Sequence, residues 1–363
     1  MENKESSVEL QTPAELGFVF PAEWETHEAT WINWPHNRTD WPSKFRTIPW
    51  VYGEIVRKLA PGEKVRIFIK SPMDEPRVRS LLKRVDADLS SVGFFPVPSN
   101  RGWVRDHGPL FLRRVGKPGA IGIARFRFNG WAKYEDWEMD DAIPDLVGQW
   151  LGCPVFRPYR QGRDVVLEGG SFDVNGCGSL LTTEECLLDK GIQVRNPGMG
   201  QKELEEILCS YVGVTQVLWL GRGIAGDDTH GHVDDLCRFV DKDRVVLCRE
   251  SNPHDVNYTA LEENRERLEG MRLSDGTKIE VIPLPMPAPL YFDGIRLPAS
   301  YANFYVSNSA VLVPTFNDPR DRVALGILGE LFPDRPTVGI HSVDLVWGLG
   351  ALHCLSQQQP ALL

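Results

Sequence analysis

Short apolar runs, several with polar residues interleaved, predict strands over residues 64–70, 110–115, 121–128, 164–167, 215–220, 238–248, 278–284 and 310–316. Between them, apolar residues spaced by three and four predict helices over 45–59, 75–85, 136–150, 201–212, 258–271 and 321–331. In the 201–212 segment, Leu204, Ile207, Leu208 and Tyr211 mark one helical face. Paired strands with an intervening helix recur roughly every 60–70 residues, about five times. No sequence repeat accompanies the recurrence, and no Ser/Gly linker or charge block marks a boundary. The pattern predicts an α/β fold, with a loose arm over 1–12 followed by one domain over 13–363. That domain is expected to be built of strand-rich modules rather than two doubly wound halves.

Composition narrows the function classes. Hydrophobic residues make up 42% and charged residues 25%, as in a soluble globular protein. The formal charge is −10 and no basic cluster is visible, which argues against nucleic acid and anionic membranes as partners. It is compatible with a small cationic substrate. Several of the 11 tryptophans flank polar islands, where aromatic walls suit a cationic or planar ligand, although most serve packing. The first ten residues lack a basic start and an apolar core, so no signal peptide is expected. No apolar run is long enough to span a bilayer.

Seven cysteines without CxxC spacing predict reduced thiols in a cytoplasm, not a disulfide frame or a zinc site. Cys153, Cys186, Cys209, Cys237 and Cys248 lie in or beside apolar segments and read as core, and Cys177 sits in a turn. Cys354 differs. A Gly-x-Gly turn presents it beside a Ser-Gln run, which suits a nucleophile.

Three further islands carry dense polar chemistry: Trp103-Val-Arg-Asp-His-Gly-Pro109, Leu167-Glu-Gly-Gly-Ser171 and Asp228-Thr-His-Gly-His-Val-Asp-Asp235. If strand geometry starts early in the last, His230, His232 and Asp234 share a face, as a general base with a substrate anchor or as metal ligands. Arg105 and Asp106 could form a loop salt bridge or face a pocket, and Glu168 could face a pocket or cap a loop. His107 is open between loop and site. In extended chain His353 and Cys354 would point to opposite faces, which makes His232 the better partner for the cysteine. His27, His36, His254 and His341 default to structural or surface roles.

These parts fit the chemistry of a guanidinium, a planar cation whose donors match carboxylates in paired hydrogen bonds. Asp106 and Asp234 would grip it. Cys354 would attack its central carbon, His232 would shuttle protons, and Glu168 would orient His232. No metal or other cofactor is needed, because the protonated guanidinium is already an electrophile.

The chain as a whole resembles the agmatine deiminase / bacterial peptidyl-arginine deiminase family of the guanidine-modifying penteins. The resemblance is carried by Phe20-Pro-Ala-Glu-Trp-Glu-Thr-His-Glu-Ala-Thr-Trp31 with Trp34-Pro35, and by the Trp103 island. It continues through Phe128-Asn-Gly-Trp131, the Leu167 island, Gly231-His-Val-Asp234 and the terminal His-Cys-x-Ser-Gln-Gln. It implies a five-bladed α/β propeller of ββαβ modules around a central site. It also implies Cys354 as nucleophile, His232 as general acid/base with Glu168 as its partner, Asp106 and Asp234 as guanidinium anchors, and Trp103 beside the substrate.

The terminal motif commonly reads Gly-Gly-Gly-Asn-Ile-His-Cys-x-Thr in agmatine-type members. Here Leu349, Ala351 and Ser356 replace a Gly, the Asn and the Thr, Ala132-Lys133 stands where a Gly pair is frequent, and the Asp227 loop is longer. These departures leave the catalytic residues intact and bear on the far end of the substrate.

The expected reaction is hydrolytic deimination, of agmatine to N-carbamoylputrescine, in a cytoplasmic enzyme of polyamine synthesis. Peptidyl-arginine is disfavoured by the lack of a secretion signal and of an added binding domain. Free arginine is disfavoured because no carboxylate-binding arginine can be assigned, Arg105, Arg125 and Arg127 being the candidates. The family alone makes a homodimer plausible. The two rivals from other classes are a His230/His232/Asp234 metal hydrolase and a non-catalytic guanidine-binding protein.

Overall fold

The computed structural model describes residues 11–362. All but the end of the arm expected over 1–12 therefore lies outside the described residues. The chain is already tied down at Thr12, whose backbone N–H donates to Glu15 Oε2 at 2.8 Å.

Five mixed sheets share one pairing pattern, in which an antiparallel pair is followed by a helix and then a parallel strand. Leu110–Arg114 and Ile121–Ala124 pair antiparallel, the helix Ile143–Leu151 follows, and Val155–Phe156 joins parallel. The order repeats in Phe172–Val174, Ser179–Thr183, helix Gln201–Val212 and Gln216–Leu220. It repeats again in Cys237–Asp241, Arg244–Arg249, helix Val256–Gly270 and Glu280–Pro285. A fourth copy is Tyr305–Val306, Val311–Thr315, helix Asp321–Leu331 and Thr337–His341. The fifth joins the two ends of the chain. Ser356–Pro360 pairs antiparallel with His27–Asn33, helix Ile48–Leu59 follows, and Lys64–Ile69 and Val92–Pro96 add in parallel.

Local rules account for the elements that were predicted well. In Gln201–Val212 the Glu203 carboxylate accepts from the Gly200 N–H at 3.2 Å, closing the first turn. Gly213 ends the helix at φ 78°, a left-handed cap that glycine adopts at little cost. Leu204, Ile207, Leu208 and Val212 are buried, as the apolar stripe requires, while Tyr211 is only half-buried.

Other expectations need correction. The predicted strand 121–128 stops at Ala124, because Arg125 turns inward to pair with Asp141 at 2.8 Å. Residues 164–167 contribute only a hairpin end at Arg163–Asp164 and a single bridge from Val166 to Arg127. The run 238–248 is two antiparallel strands, not one. Cys153 and Cys209 are half-buried rather than core, and Cys177 is exposed as its turn suggested. The Ser-Gln run beyond Cys354 is a fully buried strand, Ser356–Pro360. Two of its three glutamine amide oxygens are bonded, while Gln357 Oε1 is buried without a partner. Gln358 Oε1 accepts from Arg105 at 2.8 Å, and Gln359 Oε1 from Trp31 Nε1 at 3.0 Å. No helix among the described residues is long and apolar enough to cross a membrane.

Candidate active site

The polar islands occupy equivalent places in the repeated unit. Asp106 stands just ahead of Leu110–Arg114, Glu168 ahead of Phe172–Val174, and Asp234 ahead of Cys237–Asp241. Cys354 stands just ahead of Ser356–Pro360. The loops that enter these sheets converge, so residues far apart in sequence meet.

Cys354 is buried, and its Sγ lies 3.7 Å from Asp234 Oδ2 and 3.1 Å from Asn303 Nδ2. Burial first, and then the carboxylates of Asp234, Asp235 and Asp106, push its thiol well above the ordinary value. His353, which extended geometry would aim away from the cysteine, shares its partner. Residues 352–355 form a turn, and His353 Nδ1 lies 2.6 Å from the same Asp234 oxygen. Its Nε2 lies 2.8 Å from Glu23 Oε2. The alternation argument does not apply to a turn.

His232 sits between two carboxylates, with Nδ1 3.7 Å from Asp106 Oδ1 and Nε2 3.6 Å from Glu168 Oε2. Those are ion-pair distances, too long for hydrogen bonds. Burial opposes a charge on this ring, but Asp106, Cys186 and Glu168 outweigh it and raise the pKa well above the ordinary value. Cys186, read as plain core, therefore has its thiol beside the imidazole. Glu168 is itself held ionised. Burial works to raise its pKa, but Arg195, at 3.0 Å, and His232 bring it down to about 2.

Asp106 accepts from Trp131 Nε1 and from the Gly170 N–H, both at 3.0 Å. Burial, reinforced by Asp234 and Glu168 and opposed by His232 and the Trp131 bond, raises it to about 6. Asp234 goes the other way. Burial works against its charge, but His353 and His232 lower its pKa. Its second oxygen, Oδ1, is buried with no hydrogen-bond partner, as is Glu168 Oε2. Glu168 Oε2 faces the His232 ring, so Asp234 Oδ1 is the buried acceptor that calls for a cationic donor from outside.

Trp103, Asp106 and Cys354 line one cleft, together with Trp131, Tyr134 and Asp40. The Gly-x-Gly turn is shaped by the tryptophan, since a Cβ on Gly350 would stand 2.9 Å from the Trp103 ring and 3.0 Å from the Cys354 Cβ. The six residues singled out from the sequence thus come together, and several partners join them that were not singled out. Asn303 had no motif around it, though it too precedes the first strand of a sheet. Arg195 stands alone in its loop. Trp131 and Glu23 lay inside quoted motifs without an assigned part.

The structure decides between the readings left open for the remaining residues. Arg105 and Asp106 do not pair, because Arg105 turns to Glu23 at 3.3 Å and to Gln358. Arg125 and Arg127 are held by Asp141, Asp145 and Asp164, so none of the three is available to a substrate carboxylate. His107 is buried against Phe128, and burial lowers it to about 3, so it is neutral. His230 sits at φ 65° in a turn with its Nε2 2.9 Å from Asp189. It leaves the His232 face, and the trio His230/His232/Asp234 does not form. Two other trios place donor atoms within 4.8 Å of one another, Glu168/Cys186/His232 and Asp234/Asp235/Cys354. In the first, Arg195 pairs with Glu168 Oε1 and leaves Oε2 toward His232. In the second, burial, and then Asp234 and Asp227, raise the Asp235 carboxyl well above its ordinary value.

The model of the Porphyromonas-type peptidyl-arginine deiminase family matches residues 19–360. A protein of Pseudomonas aeruginosa named agmatine deiminase is 34% identical, with 96% of this chain and 97% of that protein covered. One of Pseudomonas fluorescens with the same name is 32% identical over the same shares. The solved agmatine deiminase of Enterococcus faecalis superposes with a TM-score of 0.89 at 30% identity, covering 98% of this chain and 99% of that one.

Proposed function

The chain belongs to the Porphyromonas-type peptidyl-arginine deiminase family, and on that premise we propose that it is an agmatine deiminase, converting agmatine and water to N-carbamoylputrescine and ammonia. The observation that carries the reading is the placement of the Cys354 sulfur 3.7 Å from Asp234, whose other oxygen is buried and unpaired. A guanidinium seated between Asp106 and Asp234 satisfies that oxygen and brings its carbon to the sulfur. Trp103 forms the wall beside it.

The steps follow from charge. The free site keeps Cys354 as a thiol, since burial, and then Asp234, Asp235 and Asp106, raise its pKa. Bound guanidinium supplies the positive charge that makes the thiolate favourable, and the thiol proton is released to solvent. The thiolate adds to the guanidinium carbon. His232, protonated by its acidic surroundings, gives its proton to the departing nitrogen, and ammonia leaves a thiouronium on Cys354. The neutral imidazole then takes a proton from water, the hydroxide adds to the same carbon, and the ureido product leaves the thiol. Glu168, clamped by Arg195, keeps the imidazole oriented in both halves.

We read the five sheets as blades of a single pseudo-symmetric propeller of ββαβ modules formed by residues 13–362, and the common pairing order supports this reading. A cytoplasmic place in polyamine synthesis and a homodimer belong to the same proposal. The test is incubation of the protein, in EDTA, with agmatine, arginine or a blocked arginine peptide, reading ammonia and ureido product. Turnover of agmatine that is absent from Cys354→Ala is expected. Activity abolished by EDTA, or no turnover of any guanidine, overturns the proposal.

A further inference from the structure

The cleft continues outward from Cys354 and Trp103 past side chains that the deimination chemistry does not use. Asp40 is the most telling of them. It lies on the loop between His27–Asn33 and the helix Ile48–Leu59, and its side chain is 1% exposed. Its Oδ1 accepts from Arg101 Nη1 at 3.0 Å, while its Oδ2 is buried without a hydrogen-bond partner. Asp40 and Cys354 both bear on the buried hydroxyl of Tyr52, raising its pKa after burial itself. Asp40 and Cys354 line the same cleft, so one small molecule can lie along both.

The other charges at the cleft are already matched. Arg101 donates its second amino group to Asp136 at 2.7 Å, and its guanidinium lies 4.3 Å from the Tyr134 ring centre. Lys133 pairs with Asp228, which also accepts from the Tyr134 hydroxyl at 2.7 Å. Both basic groups are thus tied to acids through their terminal nitrogens, and Arg101 Nε is buried without a partner. The acceptor left without one is Asp40 Oδ2.

We propose that Oδ2 of Asp40 receives the distal ammonium of a linear guanidino-amine, so that this side chain selects an amine-tailed over a carboxylate-tailed substrate. The inference rests on the deiminase reading above. It adds a second cation subsite to the guanidinium clamp of Asp106 and Asp234. A molecule with positive charge at both ends satisfies both acidic sites, whereas the α-carboxylate of free arginine meets the unpaired Asp40 oxygen with repulsion. Burial supports the need for a partner: it raises Asp40 to about 7 against the pull of Arg101.

The experiment compares agmatine with n-butylguanidine, which has the same reach and no amine, in the wild-type protein and in Asp40→Asn. In the wild type, kcat/KM for agmatine is expected to exceed that for n-butylguanidine by about 10- to 100-fold, the range that follows from one charge-assisted hydrogen bond. In Asp40→Asn the ratio is expected to fall toward one, through KM. A ratio near one in the wild type overturns the inference even if the variant does not fold. So does an equal loss on both substrates, which would make Asp40 a support of the cleft wall. Failure of the deiminase reading is separate, since it would leave the wild type inactive on both.

Discussion

A Cβ on Gly170 would stand 2.6 Å from Nδ1 of His232. It would also lie 2.9 Å from Asp106 Oδ1 and 3.1 Å from Asp234 Oδ2. Three polar groups from two other loops thus close on one glycine, and a Cβ on its neighbour Gly169 would stand 2.2 Å from the Arg105 carbonyl oxygen. The Gly-Gly pair after Glu168 exists so that the site can assemble at van der Waals distance.

Gly170→Ala should therefore fold and lose activity. The added methyl must push His232 or a carboxylate by a sizeable fraction of an ångström, and misplacement of about 1 Å can cost about 100-fold in rate. The drop is expected in kcat, with the circular dichroism spectrum unchanged. An alanine variant as active as the parent would show that the imidazole does not stay where it stands here.

This also explains what the sequence could and could not reveal. The polar islands were legible because each packs several functional groups into a few residues. Helices such as Gln201–Val212 and Asp321–Leu331 were legible because one apolar face is buried and the rest is not. The strand Ser356–Pro360 was not, because its glutamines are buried by specific bonds to Trp31 and Arg105 rather than by apolar character. Asn303, Arg195 and Asp40 were not legible for a related reason. Each acts alone in its loop, and its partner lies at least 27 residues away in sequence.

Asp106 gives a pH dependence with a definite sign. Its carboxyl titrates near pH 6 in the free protein, and grip on the guanidinium needs the ionised form. kcat/KM should thus fall as pH drops through about 6. The Trp131 bond favours the carboxylate, so Trp131→Phe should raise this pKa further and move the acid limb upward, by up to about one unit for the loss of one hydrogen bond. A pH–rate profile of both proteins decides it, and an acid limb that moves downward would contradict the assignment.

His353 should matter to the fold as well as to the site. Its ring bridges Asp234 and Glu23, two buried carboxylates whose pKa values lie below the ordinary range despite burial. His353→Leu would leave both facing each other without that bridge. The expected cost is about 3–5 kcal/mol of stability, the usual range for breaking a buried pair by removing one partner. The shift in a urea melt measures it. A midpoint unchanged by the substitution would mean that Arg238 and Arg105 already suffice for Glu23.

The last prediction concerns the nucleophile itself. Burial, Asp234, Asp235 and Asp106 all raise the Cys354 pKa, so the thiol should persist well above pH 8 in the absence of substrate. Alkylation by iodoacetamide should be slow at neutral pH and rise only on the alkaline side, against a background set by exposed Cys177 and measured in Cys354→Ala. Asp234→Asn removes the carboxylate nearest the sulfur. It should lower the Cys354 pKa and speed alkylation near pH 8, while turnover collapses because the guanidinium loses its grip. Activity and thiol reactivity should thus move in opposite directions in one variant. That separates a site designed to make its thiolate only with a cation bound from one that stores it ready-made. A thiol fully reactive at pH 6 in the free protein would rule out the first.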